Sequence, residues 1–389
     1  MNPADFTELA PGTLAIAAQG FLCFVPNPLP PPTLRLGMSA IHTLAQAERA
    51  LGKLAGSGEM LPNPHLLIGP FVRREAVLSS RIEGTIASEE DLVLFRVDPE
   101  VENRTPDTLE VQNYVSALEF GLKRIKDLPV SLRLLRELHS RLLKGVRGAD
   151  KSPGEFRNRQ NYIAAGGVPI QDARFVPPPV PEMKQALEAL EKFLQAPSER
   201  PFLVDLALLH YQFEAIHPFR DGNGRVGRLM IPLLLAERQI LTKPLLYLSA
   251  YFEQHRAEYA DLLLRVSQRG DWERWIEFFL KGIAEQAMDG VQRATRLMTL
   301  WQDYRKRLQT ARVSILAQNL VDQLFMRPAM SVGLARQLLG TSYVSAQNNV
   351  MRLVKLGILK EITGRTRNRI FIAPEILQLT GASDVVETS

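Results

Sequence analysis

His217-Pro218-Phe219-Arg220-Asp221-Gly222-Asn223-Gly224-Arg225-Val226-Gly227-Arg228 packs an imidazole, a carboxylate, an amide, loop glycines and arginines into one short stretch. Upstream, Phe202 to Ile216 is too long for a strand and apolar almost all round, so it reads as a buried helix that delivers His217 and ends at Pro218. Downstream, Gly227 to Gln239 resumes a helical pattern through Leu229, Ile231, Leu233, Leu234 and Leu235. The glycine loop therefore lies at a helix N-terminus, where backbone N–H groups and the helix dipole favour an anion such as phosphate.

Each side chain suits phosphate chemistry. His217 is a general base, its ordinary pKa of roughly 6.5 leaving much of it neutral. Asp221 is a hard oxygen ligand for Mg²⁺ on a polyphosphate. Asn223 is a donor to phosphate oxygen, and Arg225 and Arg228 are fork-shaped contacts to further phosphates. With no serine or cysteine in the stretch to act as nucleophile, the simplest reaction is attack by an acceptor hydroxyl, deprotonated by His217, on a phosphorus of a Mg-bound nucleotide. Gly222-Asn223-Gly224-Arg225-Val226-Gly227 also fits a dinucleotide-binding glycine pattern, but that fingerprint needs a preceding strand, and here a helix precedes it.

The stretch resembles the signature of the Fic family, His-Pro-Phe-x-[Asp/Glu]-Gly-Asn-Gly-Arg-x-x-Arg, at every specified position. The resemblance implies a mainly α fold: a helical bundle with a small β-hairpin flap, moving AMP from ATP to a serine, threonine or tyrosine hydroxyl of a protein. It further implies His217 as catalytic base and Asp221 on Mg²⁺. Asn223 and the Gly222 and Gly224 amides would surround the α and β phosphates, with Arg225 on the β side and Arg228 on the γ-phosphate.

Ser79-Ser80-Arg81-Ile82-Glu83-Gly84 reads physically as a helix end with Gly84 as cap, although a carboxylate near that negative end asks for a partner. It is similar to the family's inhibitory pattern Ser-x-x-x-Glu-[Gly/Asn]. The resemblance implies that Ser79, Glu83 and Gly84 form a lock in which Glu83 takes Arg228 from the γ-phosphate. That is the self-inhibited subclass with its lock N-terminal to the core.

Met1 to Leu36 reads as an irregular, extended arm, because its clustered prolines forbid helix over its second half. Helices are expected at about 39–55, 65–82, 108–125, 130–144 and 181–195. Between the last two, Gly154 to Pro179 carries Gly166-Gly167 and loop chemistry, and the resemblance implies a flap there. Its Val168, Ile170, Gln171, Asp172 and Ala173 would align a target by main-chain pairing, with a plain structural loop as the alternative. Tyr251 and Tyr259, on one helix running to Val266, are candidate walls for adenine, although tyrosine on such a helix is more often core. Two further helices are expected over 271–288 and 289–309.

Composition sets the outer limits. At 389 residues there is room for two or three domains. Their expected spans are an N-terminal segment 1–105, a core 106–290, and a connector with C-terminal domain 291–389. Cys23 is the single cysteine, which excludes an internal disulfide and a cysteine metal site. No apolar run reaches the ~18 residues of a membrane span, so a cytoplasmic protein without a membrane partner is expected, and a homodimer is compatible with it. From Ser331 to Ala373 seven Lys or Arg face one acid, a local +6 that accounts for the net +5 of the chain. Two short helices, a turn and two strand-like runs there look like a winged helix-turn-helix. Arg352, Lys355, Arg365, Arg367 and Arg369 would meet DNA phosphates, and Gln347, Asn348 and Asn349 base edges. Protein docking is the other use of such a domain. The alternatives to AMP transfer are a DNA-binding regulator whose core senses nucleotide, and a related enzyme that removes AMP or transfers another phosphate-containing group.

Overall fold

The computed structural model describes residues 1–17, 20–59, 65–97, 105–164 and 167–380. Gly166 of the expected flap lies outside them. An antiparallel pair, β1 (Gly12–Ile16) and β2 (Leu22–Pro26), opens the chain, with Leu14 opposite Phe24. The arm expected here is thus a hairpin, because the apolar run 22–25 pairs with a strand before the prolines begin.

The core is helical. In order come α1 (Met38–Glu59), α2 (His65–Ile82), α3 (Glu89–Val97), α4 (Pro106–Arg124), α5 (Leu132–Leu142), α6 (Val180–Gln195), α7 (Phe202–Ile216), α8 (Asn223–Glu237), α9 (Ser249–Gln254), α10 (Arg256–Arg269) and α11 (Trp272–Thr310). Helix α7 is the axis: apart from Phe202 and Glu214 every residue in it is buried, as its apolar sequence demands. The two helices expected over 271–309 are one, α11, which packs along α1. Gly290 does not break it; an added Cβ there would stand 3.0 Å from Leu54, so the glycine serves close packing. The single helix expected from Ser249 to Val266 is instead two, α9 and α10, divided at His255.

The chain closes with α12 (Ile315–Met326), β3 (Ala329–Ser331), α13 (Val332–Leu339), α14 (Tyr343–Lys355), β4 (Lys360–Glu361), β5 (Ile370–Ile372) and α15 (Pro374–Thr380). Gly340, at φ 58°, makes the turn between α13 and α14, and the strands form an antiparallel sheet in the order β3-β5-β4. Helices α12 and α15 and strand β3 had no counterpart in the sequence reading. No described helix is long and apolar enough to cross a membrane.

Candidate active site

His217 caps the C-terminus of α7 in the left-handed conformation, φ 48° and ψ 61°, where a non-glycine residue stands only if its surroundings hold it. They do so densely. Buried Arg157 donates from Nε to the His217 carbonyl at 3.0 Å and from its backbone N–H to the Pro218 carbonyl at 2.8 Å, and Asn161 Nδ2 donates to the Phe219 carbonyl at 2.8 Å. His217 Nδ1 lies 3.3 Å from the Glu214 carbonyl. A carbonyl only accepts, so Nδ1 carries the hydrogen and Nε2 keeps its lone pair. Burial pushes the imidazole down to about 4, the Glu214 carbonyl partly opposing this and Arg157 adding to it, so it is neutral at physiological pH.

The loop after His217 is shaped from within. Asn223 Oδ1 accepts from the Phe219 N–H at 2.8 Å, and Nδ2 donates to the Phe219 carbonyl at 2.9 Å. Its buried amide is therefore engaged with the main chain, where the sequence reading had it donating to phosphate. Gly222, at φ 77°, turns the chain into α8, which begins at Asn223, four residues earlier than the apolar pattern suggested. First-turn amides of a helix have no intrahelical acceptor, so the N–H groups of this loop, rather than its amide side chain, suit an anion.

Asp221 is positioned by His139. Gly154 N–H donates to His139 Nδ1 at 2.8 Å, which leaves Nε2–H to donate to the Asp221 carbonyl at 3.0 Å, and the ring stacks on Phe219 at 3.9 Å between centroids. Arg225 is buried with its guanidinium 3.3 Å from Glu110 and 3.6 Å from Asp221.

Arg228 is 2% exposed. Its Nη2 donates to Glu83 Oε1 at 2.6 Å and to the Ser79 carbonyl at 2.9 Å, while Nε donates to Ser79 Oγ at 2.8 Å. Burial opposes the Glu83 charge, but Arg228, aided by Arg225, outweighs it and holds the carboxyl below its ordinary value. Glu83 follows α2 in a turn where Gly84 takes φ 87°. Its carboxylate covers Gly224 so closely that a side chain there would displace the Glu83 and Arg228 ends.

Glu83, His217, Gly224, Arg228 and Tyr259 line one cavity of about 290 Å³. Tyr259 donates to buried His210 Nε2 at 2.8 Å, since His210 Nδ1 faces the Gly227 carbonyl. Tyr251 is not in this wall; it packs against Phe278, 4.9 Å between centroids. The flap residues Val168, Ile170, Gln171, Asp172 and Ala173 form a loop with one 3-10 turn at Ile170–Asp172, and the expected hairpin is reduced to a single antiparallel bridge between Ile163 and Phe175. Ile163, Arg174 and Phe175 reach the cavity wall in place of those five.

Two buried carboxyl groups were not anticipated from the sequence. Glu75 is buried against Tyr114 (2.8 Å) and Ser249 (2.6 Å), and burial pushes it up to about 7. Burial likewise raises cavity-lining Glu214 to about 7, and its Oε1 has no partner. The only signal for Glu214 was a charge inside an apolar helix, and Glu75, beside Arg73 and Arg74, gave none.

Fold and site define a mainly helical protein that sets a neutral imidazole beside a loop at a helix N-terminus. Residues 41–123 match the Fic/DOC family N-terminal region and residues 129–235 match the Fic/DOC family. The likeness to that family rests on these two segments, which together span just under half of the chain. It is 30% identical over 192 residues to the Protein adenylyltransferase Fic of Culex quinquefasciatus, covering 47% of this chain and 34% of that one. To the protein of the same name from Drosophila grimshawi it is 32% identical over 136 residues, 33% and 26% of the two chains. It thus spans about a third or less of the length of these relatives. A Fic family protein from Desulfovibrio desulfuricans shares the fold at a TM-score of 0.56 and 18% identity, covering 88% of this chain and 98% of its own. Fic-1 from C. elegans does so at 0.51 and 20%, covering 67% and 74%.

Proposed function

We propose that the chain is a protein adenylyltransferase, transferring AMP from ATP to a hydroxyl of a protein, and that Glu83 restrains it. The observation that carries this reading is the meeting of neutral His217, the α8 N-terminus and Arg228 in one cavity, with Glu83 on the arginine. The hydroxyl gives its proton to His217 Nε2 while its oxygen bonds to the α-phosphorus. The bond from that phosphorus to the β-phosphate oxygen breaks and pyrophosphate leaves. Loop amides of residues 222–224 and Arg228 hold the phosphates, and Glu83 competes for Arg228.

The donor set suits Mg²⁺. Asp221 is one half-exposed carboxylate whose main chain is pinned by His139, and Mg²⁺ takes one or two carboxylates with substrate phosphates rather than a full protein cage. Bound there, the ion would neutralise phosphate charge. Among the described residues no group of three or more His, Cys, Asp or Glu could hold a metal.

Incubating the protein with labelled ATP and a lysate, with and without His217→Ala, tests the reading. Label on protein that depends on His217 supports it, and equal label in the variant contradicts it.

A second reading concerns α13 to β5. Gln347, Asn348, Arg352 and Lys355 are exposed on α14, and Arg365 and Arg367 are exposed between β4 and β5. This basic face suits duplex DNA in the manner of a winged helix. Asn349 does not share in it, being buried against Ser314 at 2.6 Å, and Arg369 is paired with Glu361 at 2.6 Å.

A further inference from the structure

The turn that carries Glu83 joins α2 to α3, and both helices rest on the C-terminal unit. Helix α2 lies on α12, and at Gly69 an added Cβ would stand 3.1 Å from the Met326 carbonyl oxygen and 3.2 Å from its α-carbon. One turn further, buried Arg73 donates from Nη1 to that carbonyl at 2.6 Å and pairs through Nε with Glu89, the first residue of α3, at 3.1 Å. Met326 ends α12 two residues before Pro328, whose carbonyl accepts from Ala373 N–H at 2.7 Å at the end of β5. Helix α3 meets the same sheet directly, Val93 clustering with Ala329, Ile370 and Ile372.

We propose that the C-terminal unit sets the Glu83–Arg228 pair through the α2–α3 hairpin. This rests on the reading that Glu83 restrains the site. Ser79 and Glu83 hold Arg228 by three hydrogen bonds of 2.6 to 2.9 Å, and bonds of that length tolerate little displacement. Close-packed helices shift as bodies, so movement of α12 or the sheet reaches Glu83 without crossing the catalytic core. Whatever binds the C-terminal unit and shifts it therefore changes the rate at the distant site, and the coupling is reciprocal for binding.

Two full-length variants test this from opposite sides. Gly69→Ala puts a methyl group against the Met326 backbone while favouring helix, and Val93→Ala loosens α3 on the sheet. Both are expected to speed labelling by ATP at least ~3-fold, the change that under 1 kcal/mol of misplacement makes. Both should also speed deuterium exchange at the amides of Gly84 and Thr85, which bond to the Arg81 and Ser80 carbonyls. In a Glu83→Gly background neither should alter labelling. Wild-type exchange and labelling in both variants would overturn the proposal, as would an equal acceleration in that background. Exchange that rises across α7 as well is general loosening and counts against it. Should Glu83→Gly itself label no faster, the reading of the lock fails, and exchange at Gly84 and Thr85 alone decides the coupling.

Discussion

Glu83 Oε1 and Arg228 Nη2 stand 2.6 Å apart, joining the turn after α2 to the first turns of α8. Arg228 is wholly enclosed, so its charge demands a partner, and removing one member of such a pair leaves the other uncompensated. A γ-phosphate is the natural replacement for the carboxylate, since both offer oxygens to the same fork.

It follows that Glu83 acts only through Arg228. In an Arg228→Ala background, Glu83→Gly should give no gain in labelling, although it does in the wild type. A gain of similar size in both backgrounds, measured with labelled ATP, would show that Glu83 restrains the site by another route.

The base stays available in acid. Burial pushes His217 to about 4, so protonation removes it only as pH falls toward 4, whereas an ordinary imidazole would be lost below about 6.5. In Glu83→Gly protein kcat/KM should show no loss attributable to the base from pH 8 down to 5. A break that disappears in Glu214→Gln belongs to that carboxyl, which burial, with Glu83 present, pushes up to about 7. A break near 6.5 that survives Glu214→Gln would contradict the assignment of the base.

Asn223 should be a shaping residue. Asn223→Asp keeps an acceptor for the Phe219 N–H but loses the donor to the Phe219 carbonyl and puts a charge in the loop. A loss of about 1–3 kcal/mol in chemical denaturation is expected, the usual range for an orphaned buried group, together with weaker nucleotide binding. Unchanged stability would return the amide to the phosphate-donating role expected from the sequence.

Legibility followed local pattern. Helix α7 was readable because it is apolar on every face, and the residues 217–228 because their density is chemical rather than structural. Long α11 was not, since nothing in Met288-Asp289-Gly290 says that the glycine meets Leu54 instead of ending a helix. Hairpin β1–β2 was masked by the prolines that follow it. The supports of the site, Arg157, His139 and Asn161, were invisible for another reason: each acts on the main chain of the motif, from 56 to 82 residues away, and no spacing encodes that. Tyr251 and Tyr259 share a segment but not a face of the cavity, because the break at His255 separates them.

On the basic face, Arg352 and Arg367 are exposed while Arg369 is tied to Glu361 and lies over Phe371, 5.1 Å from the ring centre. Removing Arg352 or Arg367 should lower the salt slope of DNA binding by about 1 each. Removing Arg369 should cost stability and leave the slope alone. Gel shifts over a range of salt separate the two outcomes, and a slope indifferent to Arg352 and Arg367 would favour protein docking.

The most direct measurement is intact-mass analysis of Glu83→Gly protein and a lysate after incubation with Mg-ATP, beside Glu83→Gly/His217→Ala. Freed of its carboxylate, the single variant should add AMP to itself or a target at least ~10-fold faster than wild type, the factor for 1.4 kcal/mol of misalignment. Loss of the base should then cost roughly 10² to 10⁴ in rate while ATP still binds. Label no faster than wild type, or label that persists without His217, would contradict the account.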